Sequence, residues 1–88
     1  MNNSIEVLKN YKDRQVVINQ YEDEELVNKD GYFIDYIQIK NNRIELIKNN
    51  EPIYSIDLNF FSSFKILEDH HNYFSVSGKN KKLEIYFP

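Results

Sequence analysis

His70 and His71 are the only imidazoles in the chain, and they directly follow Glu68 and Asp69. A metal ion needs such donors to converge from several directions, whereas neighbouring side chains in a strand diverge to opposite faces. Only a turn could bring the two rings together. The run Glu68-Asp-His-His-Asn72 also has the polar composition of an ordinary solvated turn, and it is read as one. No metal site and no cofactor are therefore assigned.

Nucleophilic chemistry has little to stand on. Ser55, Ser62, Ser63, Ser75 and Ser77 lack the G-x-S-x-G context that exposes a nucleophile on a tight turn. The two glycines, Gly31 and Gly78, are too few and too far apart for a phosphate-cradling loop. There is no Cys, which removes disulfides, thiolate zinc sites and Cys nucleophiles together. Eighty-eight residues also leave little material to wall a pocket of a few hundred Å³. A non-catalytic chain is expected.

Three features could instead carry recognition. Glu22, Asp23, Glu24 and Glu25 form four consecutive acids, and Lys79, Lys81 and Lys82 cluster near the C-terminal end. Both segments have the composition of solvated loop tips, and either could dock an oppositely charged partner with a rate that fades with salt. Three lysines alone support only a weak, salt-sensitive nucleic-acid complex. The third feature is a surplus of tyrosine. Tyr21, Tyr32, Tyr36, Tyr54, Tyr73 and Tyr86 fall at strand ends or on half-exposed parities, and a rigid apolar ring with a polar tip suits an interface as well as a wet strand rim.

The elements that must position these residues read mainly as strands. The composition is 41% hydrophobic and 15% aromatic, with 12 Asn and no Ala, so the strongest helix former is missing while a turn former abounds. Asn, Ile and Lys together make 32 of the 88 residues, a bias that an AT-rich coding genome accounts for without any appeal to function. A short helix is expected over residues 4–12, capped by Ser4 and laid on a sheet through Ile5, Val7, Leu8 and Tyr11. Strands are expected over 15–21 and 32–40, with Asp35 breaking the apolar face of the second. Asn41-Asn42 can supply the positive φ that a two-residue hairpin turn needs. After a second turn at Asn49-Asn50-Glu51-Pro52 comes a strand at 53–57, then a helical turn near 58–63 and a strand at 64–68. A last hairpin pairs 73–77 with 82–87 around 78–81.

The expected fold is thus mainly β, of α+β type: a short N-terminal helix and a small antiparallel barrel or strongly bent sheet of about six strands, as one domain over residues 1–88. Between residues 4 and 67 the order of helix, strand, loop, two hairpin-linked strands and return strand resembles that of Sm-like and other small SH3-type barrels. The resemblance is one of outline. RNA-binding Sm-like proteins carry an acidic-x-Asn pattern in one turn and a basic-Gly pair in a later one, whereas the corresponding turns here read Asn41-Asn42 and Ser62-Ser63.

A chain of this size buries only about 60–65% of its unfolded surface, so folding uses most of its apolar residues and recognition is left to the rim. The net charge of −3 supplies no global attraction to nucleic acid or anionic lipid. No apolar run approaches the length that spans a bilayer, and the first residues lack the charged and apolar regions of a secretion signal, so a cytoplasmic, non-membrane protein is expected. The function expected is a protein-interaction module, self-associating as a homodimer through an edge strand or a Tyr-bearing face, with Tyr36, Tyr54 and Tyr86 as contact residues. One alternative is a nucleic-acid-associated barrel using Lys79, Lys81, Lys82, Lys40 and Arg43. The other is an acidic inhibitor of the kind mobile elements encode, presenting Glu22–Glu25 to a basic site.

Overall fold

The computed structural model describes residues 3–67 and 72–88. Eight strands build two antiparallel sheets: β1 (Arg14–Glu22), β2 (Glu25–Ile34), β6 (Ser63–Ile66), β7 (Tyr73–Ser77) and β8 (Lys81–Tyr86) form one, in the order β2-β1-β8-β7-β6. The other is the meander of β3 (Tyr36–Lys40), β4 (Arg43–Lys48) and β5 (Glu51–Asp57). The chain is mainly β, as its composition predicts.

Period-two alternation explains how the sheets share one core. In the larger sheet Ile18, Ile85 and Phe74 line up across β1, β8 and β7, with Val76 opposite Leu83 beside them. In the smaller, Ile39, Ile44 and Ile56 form one row and Ile37, Leu46 and Tyr54 the next. These rows meet in a single buried cluster. Each buried Ile, Leu, Val or Phe contributes roughly 1.5–3 kcal/mol by leaving water.

Several expectations need correction. The N-terminal segment Asn3–Asn10 is a 3-10 helix, not an α-helix. Its period of three residues per turn stacks Ile5, Leu8 and Tyr11 along one line, whereas an α-helix would spread them around its surface. Ile5 and Leu8 are buried, Tyr11 packs beside them, and the Glu6–Lys9 ion pair at 2.6 Å uses the same three-residue spacing on the wet side. The cap expected of Ser4 lies outside the described side chains. No closed barrel forms among the described residues, the strands number eight instead of about six, and the pairing gives the SH3-type and Sm-like outline no support.

The observed strands depart from the expected ones in two places. One is β2, whose residues 26–31 have no apolar alternation because both of their faces are exposed. The other is the expected strand 32–40, which splits at Asp35. This residue turns a corner between the sheets: its N–H donates to Ile47 O at 2.8 Å, its carbonyl accepts from Asp13 N at 3.0 Å and its Oδ2 accepts from Asn49 N at 2.8 Å. An acid that breaks an apolar strand face is here the hinge of the fold.

The turns follow the residue chemistry. Asn41 and Asn42 have φ of 54° and 58°, and Asn49 and Asn50 of 53° and 64°, as two-residue hairpins demand. Leu58–Phe60 is a 3-10 turn capped by the Asp57 carboxylate, which accepts from Asn59 N at 2.9 Å. Pro52 is tolerated in β5 because that strand is a sheet edge. Residues 68–71 of the expected turn that ends at Asn72, with both histidines and the end of the expected strand 64–68, lie outside the described residues. No helix among the described residues is long and apolar enough to cross a membrane.

Candidate functional site

The outer face of the larger sheet follows from strand alternation. Side chains that point away from the core are Val17, Asn19 and Tyr21 on β1, Lys82, Glu84 and Tyr86 on β8, and Tyr73, Ser75 and Ser77 on β7. The register sets them in three rows: Val17–Tyr86–Tyr73, Asn19–Glu84–Ser75 and Tyr21–Lys82–Ser77. A face left to solvent is normally wet throughout. Here Ser75 is only 5% exposed and Asn19 Oδ1 is enclosed without a hydrogen-bond donor.

Glu84 is the hub. The Tyr73 hydroxyl donates to its Oε1 at 2.7 Å, and Lys82 Nζ lies 3.5 Å from its Oε2. Burial pushes the Glu84 carboxyl up, but hydrogen bonds from Tyr73 and Tyr21 and the Lys82 ammonium outweigh it and hold it below its usual value. Burial, with the Glu84 charge behind it, pushes the Tyr73 hydroxyl up to about 12 and raises Tyr21 as well. Lys82 also stands 4.6 Å over the Tyr21 ring, and the Tyr73 and Tyr86 rings lie 5.3 Å apart. A carboxyl held below its usual value and a phenol raised to about 12 both lie away from the range that favours proton transfer near neutral pH.

The linkage gives a testable pH profile. Glu84 titrates lower folded than its unfolded value near 4.5, so its contribution is present above that pH and is lost as pH falls through the folded value. Tyr73 runs the other way: its contribution is complete below pH 10.0 and is lost as pH rises toward about 12. Tyr73→Phe is expected to flatten the alkaline loss of stability and to move acid unfolding to higher pH, since Glu84 loses a donor. Urea midpoints across a pH series check both limbs.

The two charged segments, remote in sequence, meet at one end of this sheet. Glu22 pairs with Lys81 across β1 and β8, and Asp23 N donates to Asn80 O at 3.0 Å. Only Asp23 and Glu24 form the turn, because Glu22 and Glu25 already belong to strands. A cleft of about 620 Å³ lies between the turns, lined by Tyr21, Asp23, Glu24, Lys79, Lys81 and Lys82 among others. Lys82 turns to Glu84 and Tyr21, Lys81 stands 5.4 Å over the Phe60 ring, and Lys79 is exposed. Lys40 and Arg43 flank the Asn41-Asn42 turn, which Asn42 ties to Asn59 at 2.7 Å, while Lys81 reaches the same 58–60 turn from the other sheet.

Asp23 and Glu24 have φ of 51° and 67°, in the left-handed region that Asn occupies in the other two hairpins. A glutamate there costs roughly 1–2 kcal/mol that glycine does not. Glu24→Gly is expected to raise stability by about 0.5–1 kcal/mol, read as an increase in Tm of a few degrees.

The remaining tyrosines divide. Tyr54 faces the core and packs on Tyr32 at a centroid distance of 5.2 Å, and burial raises the pKa of both phenols. Tyr36 lies on edge strand β3, 38% exposed. Tyr86 belongs to the outer face. Sequence reasoning left Asn19, Ser75 and Glu84 out of the site, although each sits at the centre of a tyrosine- or serine-bearing strand. Only the register of β1 against the remote β7–β8 hairpin puts them in one row. It also missed β2 as the open margin of the same sheet, where Leu26, Val27 and Phe33 are 52%, 51% and 54% exposed. Among the described residues no cluster of three or more His, Asp or Glu is placed to hold a metal ion. No protein-family model, curated protein or solved structure matches this chain.

Proposed function

We propose that the chain is a small cytoplasmic, non-catalytic protein-interaction module that recognises a polypeptide along β2 and the tyrosine-bearing face beside it. The observation that carries this reading is the open side of β2. Ten residues long, it pairs among the described residues with β1 on one side only and presents exposed Leu26, Val27 and Phe33. A strand in that position offers every second N–H and C=O to an incoming strand, the basis of recognition by strand addition. The tied network around Glu84 keeps the adjoining face in one arrangement, which lowers the ordering cost of binding.

Quantitative capture from the native host tests the reading. The wild-type chain is expected to retain a specific protein, this chain included, that a Val27→Lys/Phe33→Lys variant with the same Tm loses. Equal retention by both overturns it.

A second reading has one observation in its favour. The strained Glu24 backbone keeps an acid at a tip where the chain elsewhere uses Asn, which suits an acidic inhibitor docking a basic site. Replacing Glu22, Asp23, Glu24 and Glu25 with Ser would abolish capture on that reading and spare it on the first. The acids interleaved with Lys79, Lys81 and Lys82 weigh against a nucleic-acid role.

A further inference from the structure

We propose that the strand added to β2 is β2 of a second copy, paired antiparallel about a two-fold axis that passes beside Gly31. This rests on the strand-addition reading above and names its partner. In an antiparallel pair, directly opposed side chains share a face, so two identical strands related by a two-fold must place one residue opposite itself. The question is which one.

β2 answers it by its own irregularity. A bulge between Gln20 and Tyr21 on β1 leaves Val27 without a partner, so the regular stretch of β2 runs from Asn28, opposite Gln20, to Ile34, opposite Arg14. Its midpoint is Gly31. The bulge twists the preceding residues away, as edge strands do when they limit pairing to one register. Charge selects the same centre. An axis at Lys29 or Asp30 opposes like charges, and one at Asn28 sets Asp30 against Leu26 and Lys29 against the bulged Val27. An axis at Tyr32 leaves a shorter overlap and sets the charge of Asp30 against buried Ile34, where an axis at Gly31 sets neutral Asn28.

With Gly31 at the axis the pairs complement one another. Phe33 meets Lys29 of the second copy twice, on the outer face, and its ring already takes a cation, since Lys48 Nζ stands 5.5 Å from its centroid. Tyr32 meets Asp30 of the second copy twice, on the inner side, as a phenol donor facing a carboxylate. Gly31 has no side chain to hold the strands apart. All of β2 from Glu25 to Gly31 is exposed, and so is Phe33, so the approach is open. The larger sheet would then run unbroken through both copies.

The absence of native Cys makes the register directly readable. Opposed Cα atoms about 4.5–5.5 Å apart lie within disulfide range. A Cβ at Gly31 meets nothing closer than the flexible Gln15 Nε2 at 3.4 Å, so Gly31→Cys is accommodated. Gly31→Cys is expected to form a covalent dimer under mild oxidation. Lys29→Cys and Phe33→Cys are each expected to stay uncrosslinked alone and to crosslink when mixed. Light scattering should show a mass approaching twice 10.6 kDa as concentration rises, and Phe33→Lys, which opposes two lysines, should weaken the dimer about tenfold or more. A monomer at every concentration overturns this inference while leaving capture of a different protein to decide the broader reading. A dimer in which Gly31→Cys stays reduced, or in which the Lys29→Cys and Phe33→Cys mixture does not crosslink, overturns the register.

Discussion

Phe87→Ala is expected to destabilise the chain by about 3–5 kcal/mol, more than any surface change considered above. Phe87 is 1% exposed and stacks on Tyr11 with centroids 3.9 Å apart and planes 8° from parallel. Phe74 meets it edge-on at 6.0 Å, and the Arg14 guanidinium lies 5.9 Å from its centroid. Its backbone is held as well: Phe87 N donates to Asn72 O at 3.0 Å, and Arg14 Nη2 donates to Phe87 O at 3.5 Å and to the next carbonyl, Pro88 O, at 3.0 Å. Truncation removes the ring that joins the 3-10 helix to the larger sheet, and a helix of eight residues has no stability of its own. The loss is therefore expected in two readouts. Urea unfolding should shift to lower denaturant, and the near-ultraviolet dichroism of Tyr11 should collapse. Phe87→Leu, which keeps most of the volume, should lose far less stability while still losing the dichroism. A loss below 1 kcal/mol for the alanine variant would show that the stack does not anchor the helix.

Gly78→Ala is expected to cost about 2–3 kcal/mol, although the substitution adds one methyl group at a backbone without positive φ. A Cβ there would sit 2.5 Å from the Phe60 carbonyl oxygen, a backbone atom that cannot swing aside. The 58–60 turn is fixed from both sides, by Leu58 N donating to Asn42 O at 2.9 Å and Ser62 N to Ser77 O at 2.8 Å, so relief requires the turn to move as a body. Gly31→Ala provides the contrast. Its nearest neighbour would be 3.4 Å away on a mobile side chain, and the loss of chain entropy in the unfolded state should make it neutral or stabilising by up to about 1 kcal/mol. Chemical denaturation of the two variants side by side separates close backbone approach from glycine flexibility. Equal effects would remove the steric account.

Local chemistry was legible wherever one residue type decides a backbone state. The Asn41-Asn42 and Asn49-Asn50 turns, the last hairpin around Gly78 and the helical turn at Leu58 follow from residue type and alternation within a few positions. The same reading placed Glu22–Glu25 in a loop, because four acids look like a tip, and only the pairing with β8 draws Glu22 and Glu25 into strands. It treated the acids and the lysines as separate surfaces, although β1 and β8 hold them side by side. Asp35 stood out as an anomaly in a strand. Its meaning as a corner needed the two sheets it connects.

The sequence alone therefore determined the β class, the short strands and most turns, since these depend on φ preferences and on a two-residue period; it put Phe33 on one face with Ile37, whereas the corner at Asp35 turns Phe33 outward and buries Ile34. Tertiary structure alone decided which strands are neighbours, hence the hub at Glu84, the meeting of the charged turns and the open side of β2. Pairing between segments sixty residues apart is a matter of register, and register is set by the summed fit of many weak contacts that no single residue type announces.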